Sequence, residues 1–280
     1  RKASAQAVAD CQRAGMIPVM ITGDHKVTAC SIARSIGIYH DGDECLDGME
    51  LNAMSDAELD AHLEKVRVYA RVAPEHKIRI VDAWQRKGRL VAMTGDGVND
   101  APALKQADIG IAMGITGTEV SKDAATMILT DDNFATIIKA VATGRNIYAN
   151  IRNAIVYLLS GNLSGIITVL VATLAAWPLP FLPVHLLFIN LITDSLPALA
   201  IGMERSSSDV LKDKPRDPSA GILNGPTIRT LGMQGILIAI VTIIAFMLGM
   251  RANDATAQTL AFAVLCLSRL CHGFNCRSEY

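Results

Sequence analysis

The chain has 280 residues, a formal net charge of −1 and an apolar fraction of 51%. A charge this close to zero gives no reason to expect a nucleic acid as a partner. The averages combine two unlike halves, because residues 1–150 are charged and mixed in character whereas residues 154–276 consist mainly of apolar segments. The six cysteines form no C-x-x-C pair, so we expect reduced thiols rather than metal ligands or disulfides.

Apolar runs alternate with helical patterns through the first half of the chain. Strands are predicted at 17–21, 66–70, 90–93, 109–113 and 127–129. Helices are predicted near 3–14, 26–36, 56–65 and 75–87. This alternation predicts an α/β domain with a Rossmann-type parallel sheet. Functional residues are then expected in the loops after the carboxyl ends of the strands.

Two of these loops contain the tripeptide T-G-D. In the first, Thr22, Gly23 and Asp24 follow a strand and precede a helix, which suits either a phosphate cradle or an ordinary turn. In the second, Asp96 and Asp100 lie four residues apart. Two carboxylates at this spacing suit a magnesium ion beside a phosphate, although an Asp-rich turn capping a helix has the same pattern.

Lys77 lies between these loops, in the segment RVAPEHKIRIV. It follows Pro74 at a predicted helix start, where a cation could stabilise a transferring phosphoryl group or simply be solvated. The series TGD, R-V-x-P-x-x-K and TGDGVNDAPAL resembles the phosphorylation domain of P-type ion-pumping ATPases, which have a haloacid-dehalogenase-like fold. The eleven-residue motif TGDGVNDAPAL is the most specific part of this resemblance.

The resemblance implies a role for each matching residue. Those that would hold the aspartyl phosphate are Thr22, Gly23 and Lys77. Those that would form the Mg²⁺ site are Asp96 as the ligand, with Asn99 and Asp100 in support. Those that would face the ATP nucleotide are Asp24 and Arg71.

The phosphorylated aspartate of that family lies in a D-K-T-G-T motif, which this sequence does not contain. The chain also begins on Arg1 without an initiator methionine or an apolar signal region. We therefore expect part of a longer pump, whose actuator domain, nucleotide-binding domain and earlier membrane helices lie outside this chain. On this interpretation residues 1–133 are the C-terminal part of the phosphorylation domain.

A helical pattern from about 134 to 176 predicts a helix twice as long as a bilayer requires, or two helices broken near Gly144. Residues 134–153 would form a stalk, and residues 154–280 a transmembrane domain embedded in the lipid bilayer. Four spans are predicted, at 154–177, 181–203, 231–250 and 257–276. The intervening loop 204–230 is rich in Lys and Arg, which places it in the cytoplasm with the soluble domain.

The second span contains the segment FINLITDSLPAL, at residues 188–199. Helical spacing predicts that Asn190, Thr193 and Asp194 share one face. Pro197 has no N–H to donate to the carbonyl of Thr193, so a free backbone oxygen is expected there as well. An ionised carboxylate is costly inside a bilayer, and these oxygen donors suit a hard cation.

The segments SGNLSG and INLITDSLPALAIGME resemble the cation-site helices of sarco/endoplasmic-reticulum-type calcium ATPases. The positions that match calcium ligands of that family are Asn162, Asn190, Thr193 and Asp194. Gly165 and Arg269 replace two glutamates of the family. A guanidinium stays protonated, so Arg269 would repel a second calcium and compensate Asp194 after the first has left.

The sequence thus predicts ATP-driven calcium export with one calcium per cycle, by a monomeric multi-pass protein of a bacterial plasma membrane. Snorkelling of Arg269 to the membrane interface is an alternative to its role at the ion site. A pump for manganese or sodium is an alternative within transport, because oxygen ligands do not by themselves select calcium. Two further alternatives are a membrane-anchored haloacid-dehalogenase-like phosphatase and a non-catalytic membrane scaffold.

Overall fold

The computed structural model describes residues 2–205, 210–217 and 220–277. The chain forms two compact units, one of Arg1–Ala142 with Leu211–Pro218 and one of Thr143–Val210 with Ser219–Tyr280. Leu211–Pro218, which belong to the loop 204–230 predicted to be cytoplasmic, therefore group with the first unit. This first unit corresponds to the predicted soluble domain and is called the soluble unit below.

The first unit is an α/β domain whose strands are all parallel. The strands are β1 (Met20–Ile21), β2 (Glu44–Asp47), β3 (Val66–Ala70), β4 (Ala92–Gly95), β5 (Ile109–Met113) and β6 (Met127–Leu129). They form two three-stranded sheets, in the orders β1-β3-β2 and β4-β5-β6. The prediction of parallel strands is confirmed, with the strands divided between two sheets.

Strands β3, β5 and β6 have the predicted bounds. The differences at β1 and β2 have local causes. The predicted strand 17–21 is reduced to β1, since Pro18 lacks the N–H that a ladder needs. Strand β2 was not predicted, because its sequence ECLD is short and carries acidic residues at both ends.

The helices of this unit are α1 (Lys2–Arg13), α2 (Lys26–Ser35), α3 (Gly48–Ala53), α4 (Asp56–His62), α5 (Pro74–Arg86), α6 (Ala101–Gln106) and α7 (Glu119–Ala124). Asp47 and Ser55 form capping boxes at the starts of α3 and α4. Helix α5 has Pro74 at its first position, where the missing N–H costs nothing. This helix carries Lys77, and its buried face packs into a core around Tyr69.

The second unit is helical. Its elements are α8 (Phe134–Leu174), α9 (Pro183–Phe188), a π-helix (Ile189–Asp194), α10 (Ser195–Gly202), α11 (Gly225–Met250) and α12 (Asp254–Asn275). Helix α8 is continuous over 41 residues and contributes to both units, so the alternative of a break near Gly144 is wrong. At about 1.5 Å per residue it is about 62 Å long.

Four helical segments among the described residues are long and apolar enough to cross a membrane. They are Phe134–Leu174, Pro183–Gly202, Gly225–Met250 and Asp254–Asn275. The third begins six residues before its predicted start, because Asn224 caps its first turn and Pro226 follows at a favourable position.

Candidate functional site

The first T-G-D loop is fixed to the end of the neighbouring strand. The N–H of Thr22 donates to the carbonyl of Tyr69 (2.9 Å), and the N–H of Arg71 donates to the carbonyl of Asp24 (3.1 Å). Within the loop, the Thr22 hydroxyl accepts a 3.1 Å hydrogen bond from the N–H of Asp24. Arg71 adopts a left-handed conformation with φ of 48°, which is uncommon for a residue other than glycine. The loop thus brings Thr22, Asp24 and Arg71 together at one strand edge.

Asp100 is the most constrained side chain of the second T-G-D loop. It is buried and forms an ion pair with Lys77 on α5. Its other carboxylate oxygen accepts hydrogen bonds of 3.1 Å from the N–H groups of both Asp96 and Gly97. Burial acts to raise the pKa of Asp100, but the hydrogen bonds from Lys77 and from these N–H groups outweigh it and lower the pKa.

Gly95 makes this arrangement possible. A Cβ atom at residue 95 would lie 2.8 Å from Cγ of Asp100, closer than side chains pack. The carboxylate can therefore fold back over the end of β4 only because residue 95 is a glycine. The sequence motif contains this glycine, but its role was not predicted.

Asp96 differs from Asp100 in the exposure of its side chain. Its backbone carbonyl accepts hydrogen bonds from the N–H of Thr118 (2.9 Å) and the hydroxyl of Ser121 (3.2 Å). Its side chain is exposed, as is that of Asn99. Because the Asp100 carboxylate is already occupied by three donors, Asp96 is the better suited of the two to bind a magnesium ion directly. The arrangement fits one direct carboxylate ligand rather than the two that spacing alone suggested.

The second unit contains a buried polar cluster between three of the apolar helical segments. Arg269 on α12 donates hydrogen bonds from Nη2 to Oδ2 of Asp194 (2.7 Å) and to Oδ1 of Asn162 on α8 (3.1 Å). Arg269 is only 2% exposed and Asp194 only 4%. The guanidinium is therefore held inside the helical unit, which contradicts the snorkelling alternative.

This cluster is not fully satisfied. Within the described part of the chain, Oδ1 of Asp194 and Nε of Arg269 are buried and have no hydrogen-bond partner. A buried carboxylate oxygen without a donor is costly, so such an atom is a candidate ligand for a cation. Asp194 thus offers one oxygen to the guanidinium and leaves one available.

Two glycines on α8 have opposite surroundings. A Cβ at Gly161 would overlap the guanidinium of Arg269, whereas a Cβ at Gly165 would meet no atom of the described chain within 4 Å. With a larger residue at position 161, the guanidinium of Arg269 would have to shift from its present place against α8. Gly165 leaves open space where the calcium-pump resemblance places a glutamate.

The remaining predicted ligands are placed differently. Thr193 is buried and its hydroxyl faces Sγ of Cys266 at 3.8 Å, whereas Asn190 is exposed. The stretch that carries Asn190, Thr193 and Asp194 is a π-helix rather than the α-helix that the spacing assumed, and within the described chain Asn190 is exposed whereas the other two residues are buried. The prediction of a free Thr193 carbonyl is wrong, since the hydroxyl of Tyr157 donates to it.

The chain is similar to known proteins in both its α/β half and its helical half. The chain is 52% identical over 279 residues to a calcium-transporting ATPase of Listeria monocytogenes, and the match covers 100% of the chain. The chain belongs to the P-type cation-transporting ATPases. Residues 178–280 match the family described as cation transporting ATPase, C-terminus, and residues 1–108 match haloacid dehalogenase-like hydrolase.

Other P-type ATPases are similarly close. A calcium-transporting ATPase of Bacillus subtilis is 50% identical over 98% of the chain, and one of Lactococcus lactis is 50% identical over 100%. The chain spans about a third of the length of these relatives, 31% and 32% respectively. The haloacid-dehalogenase-like domain and the four apolar helices therefore correspond to a portion of a P-type ATPase.

Proposed function

We propose that this chain carries phosphoryl-transfer residues and half of the ion site of a P-type ATPase that exports calcium. The observation that carries the proposal is the buried cluster of Asp194, Arg269 and Asn162, in which one carboxylate oxygen has no partner among the described residues. Such an acid is costly inside a membrane and therefore indicates a transport site. The relatives at about 50% identity are named calcium-transporting ATPases, which favours calcium as the ion.

The soluble unit would act on an aspartyl phosphate formed from ATP on a residue outside this chain. Thr22, Gly23 and Lys77 would hold the phosphoryl group, and Asp24 and Arg71 would face the nucleotide. Lys77 would be oriented by its ion pair with Asp100. A cation fixed in this way stabilises charge on a transferring phosphoryl group without reorganisation during the reaction.

Asp96 would be the protein ligand of Mg²⁺, with Asn99 and Asp100 in support. When bound, this ion would neutralise charge on the phosphoryl oxygens. Asp100 would act indirectly, because its hydrogen bonds to two N–H groups fix the backbone of Asp96 and Gly97. This arrangement directs the exposed carboxylate of Asp96 from a rigid loop.

The ion site would hold one calcium per cycle. Asp194, Asn162, Thr193 and Asn190 would provide its ligands from this chain, and the rest would come from helices outside it. Arg269 would exclude a second calcium by its fixed positive charge and would return to Asp194 when the ion leaves. Two positions thus lack the carboxylates of a two-ion site, since residue 165 is glycine and residue 269 is arginine.

The complete pump would be a monomer in a bacterial plasma membrane, with its soluble unit in the cytoplasm. Its actuator and nucleotide-binding domains and its earlier helices would precede this chain. Helix α8, which contributes residues to both units, would link phosphorylation to the ion site.

The test is phosphoenzyme formation from ATP by the complete purified pump across a panel of Ca²⁺, Mn²⁺ and Na⁺. Calcium should give the half-maximal response at the lowest concentration. Asp194→Asn should abolish the response, whereas Asp254→Asn, at an exposed acid beginning α12, should leave it unchanged. A response to sodium or manganese alone would overturn calcium as the substrate.

A further inference from the structure

The carbonyl oxygen of Thr193 lies one residue before the acid of the ion site. In an α-helix the N–H of residue 197 would donate to it, but residue 197 is a proline and has no N–H. The chain is π-helical up to Asp194 and α-helical from Ser195, so the backbone changes register at this point. The usual i+4 donor to this carbonyl is therefore missing, and a donor from another element can take its place.

Tyr157 on α8 provides that donor. Its hydroxyl donates a hydrogen bond of 2.9 Å to the Thr193 carbonyl, and both residues are buried. Asn162, five residues further along the same helix, contacts the guanidinium that pairs with Asp194. Helix α8 thus contacts the surroundings of Asp194 at two points. Tyr157 binds the carbonyl of the preceding residue, and Asn162 binds Arg269, the ion-pair partner of Asp194.

The ring of Tyr157 is itself held in place by α12. It stacks on His272 with ring centroids 5.9 Å apart, and the imidazole Nε2 of His272 lies 2.8 Å from the hydroxyl oxygen of Ser160. A Cβ at Gly273 would lie 3.6 Å from the ring, so the helix backbone passes close to it. These contacts leave the phenol little freedom to turn away from Thr193.

We propose that Tyr157 is a positioning residue of the ion site, which fixes the Thr193–Asp194 peptide through its hydroxyl. The inference rests on the proposed calcium site, to which it adds a residue outside the predicted ligand set. A buried carbonyl that loses its donor turns to find another, and the Asp194 side chain would move with it. Small displacements of a ligand weaken a coordination site, so calcium affinity should depend on this hydroxyl.

The alternative is that Tyr157 only fills space between α8 and α12. Tyr157→Phe separates the two, because it keeps the ring and removes the hydrogen bond. The matched control is Tyr69→Phe in the soluble unit, whose buried hydroxyl has no hydrogen-bond partner within the described residues. A space-filling role predicts the same calcium dependence for both variants.

The experiment measures calcium-dependent phosphoenzyme formation from ATP in the complete pump. Tyr157→Phe should raise the half-maximal calcium concentration about tenfold, equivalent to about 1.4 kcal/mol, with the maximal level unchanged. Pro197→Ala restores a backbone N–H four residues after Thr193, so adding it to Tyr157→Phe should return the calcium dependence toward the wild type. Tyr69→Phe should match the wild type.

An unchanged half-maximal calcium concentration in Tyr157→Phe would overturn the proposal. Phosphorylation by inorganic phosphate without calcium monitors folding, and its loss together with the ATP signal would show a purely structural role and also overturn the proposal. If the wild-type pump itself did not respond to calcium, the proposed function would fail instead. The calcium response of the wild-type pump therefore distinguishes failure of the Tyr157 proposal from failure of the proposed function.

Discussion

Arg269 donates a hydrogen bond of 2.7 Å to Asp194, and both side chains are buried among the apolar helices of the second unit. A calcium ion bound by Asp194 would have to displace the guanidinium or share the carboxylate with it. Oδ1 of Asp194 is buried and has no hydrogen-bond partner among the described residues, so this oxygen could bind the ion while Oδ2 remains paired with Arg269. The effect of the Arg269 charge on calcium binding is therefore the first property to test.

Arg269→Gln should make calcium binding more sensitive to pH. Without the guanidinium, a proton has to compensate the buried carboxylate, and protons then compete with calcium. At alkaline pH the half-maximal calcium concentration should fall about tenfold because a competing cation is gone, and it should rise steeply as the pH falls. Calcium titrations of phosphoenzyme formation between pH 6 and 9 would measure this, with exposed Arg251→Gln as the control. Identical titrations for Arg269→Gln and wild type would refute a role for this charge.

Gly161→Ala and Gly165→Ala should differ although both add one methyl group to α8. The methyl group at 161 overlaps the guanidinium of Arg269, whereas that at 165 enters open space. We expect Gly161→Ala to cost about 1–3 kcal/mol of stability and to shift calcium dependence in the direction of Arg269→Gln. In the Arg269→Gln background the added methyl group should have little further effect, which a double-mutant cycle would measure. Equal behaviour of the two alanine variants would contradict this packing.

Asp100→Asn should destabilise the soluble unit at neutral pH. The lowered pKa of Asp100 means that its ionised form stabilises the folded state above its ordinary pKa of about 3.9, and that this contribution is lost as the pH falls through the lowered value. The loss at pH 7 should be about 2 kcal/mol. Melting temperatures of the purified pump should therefore differ from wild type at pH 5–7 and converge below about pH 4. Exposed Asp41→Asn is the control, and a constant difference at every pH would exclude the ion pair as the cause.

Much of the fold followed from local sequence. Strand β3 was predicted because its apolar run has clear bounds, and α5 because Pro74 marks its start. The π-helix was not predicted, since a short change of register leaves no periodic signal. Gly161 and Tyr157 were not among the predicted site residues, because they contact Arg269 and Thr193, which lie far away in the chain, and only the folded structure reveals such contacts.

Because residue 165 is a glycine and residue 269 an arginine, we expect a single calcium site beside Asp194. The most direct measurement is the number of calcium ions bound per phosphorylatable pump at saturating calcium, from radioactive calcium binding compared with the maximal phosphoenzyme level. We predict a ratio of one. A ratio of two would contradict it, because a second calcium would then bind despite the fixed charge of Arg269.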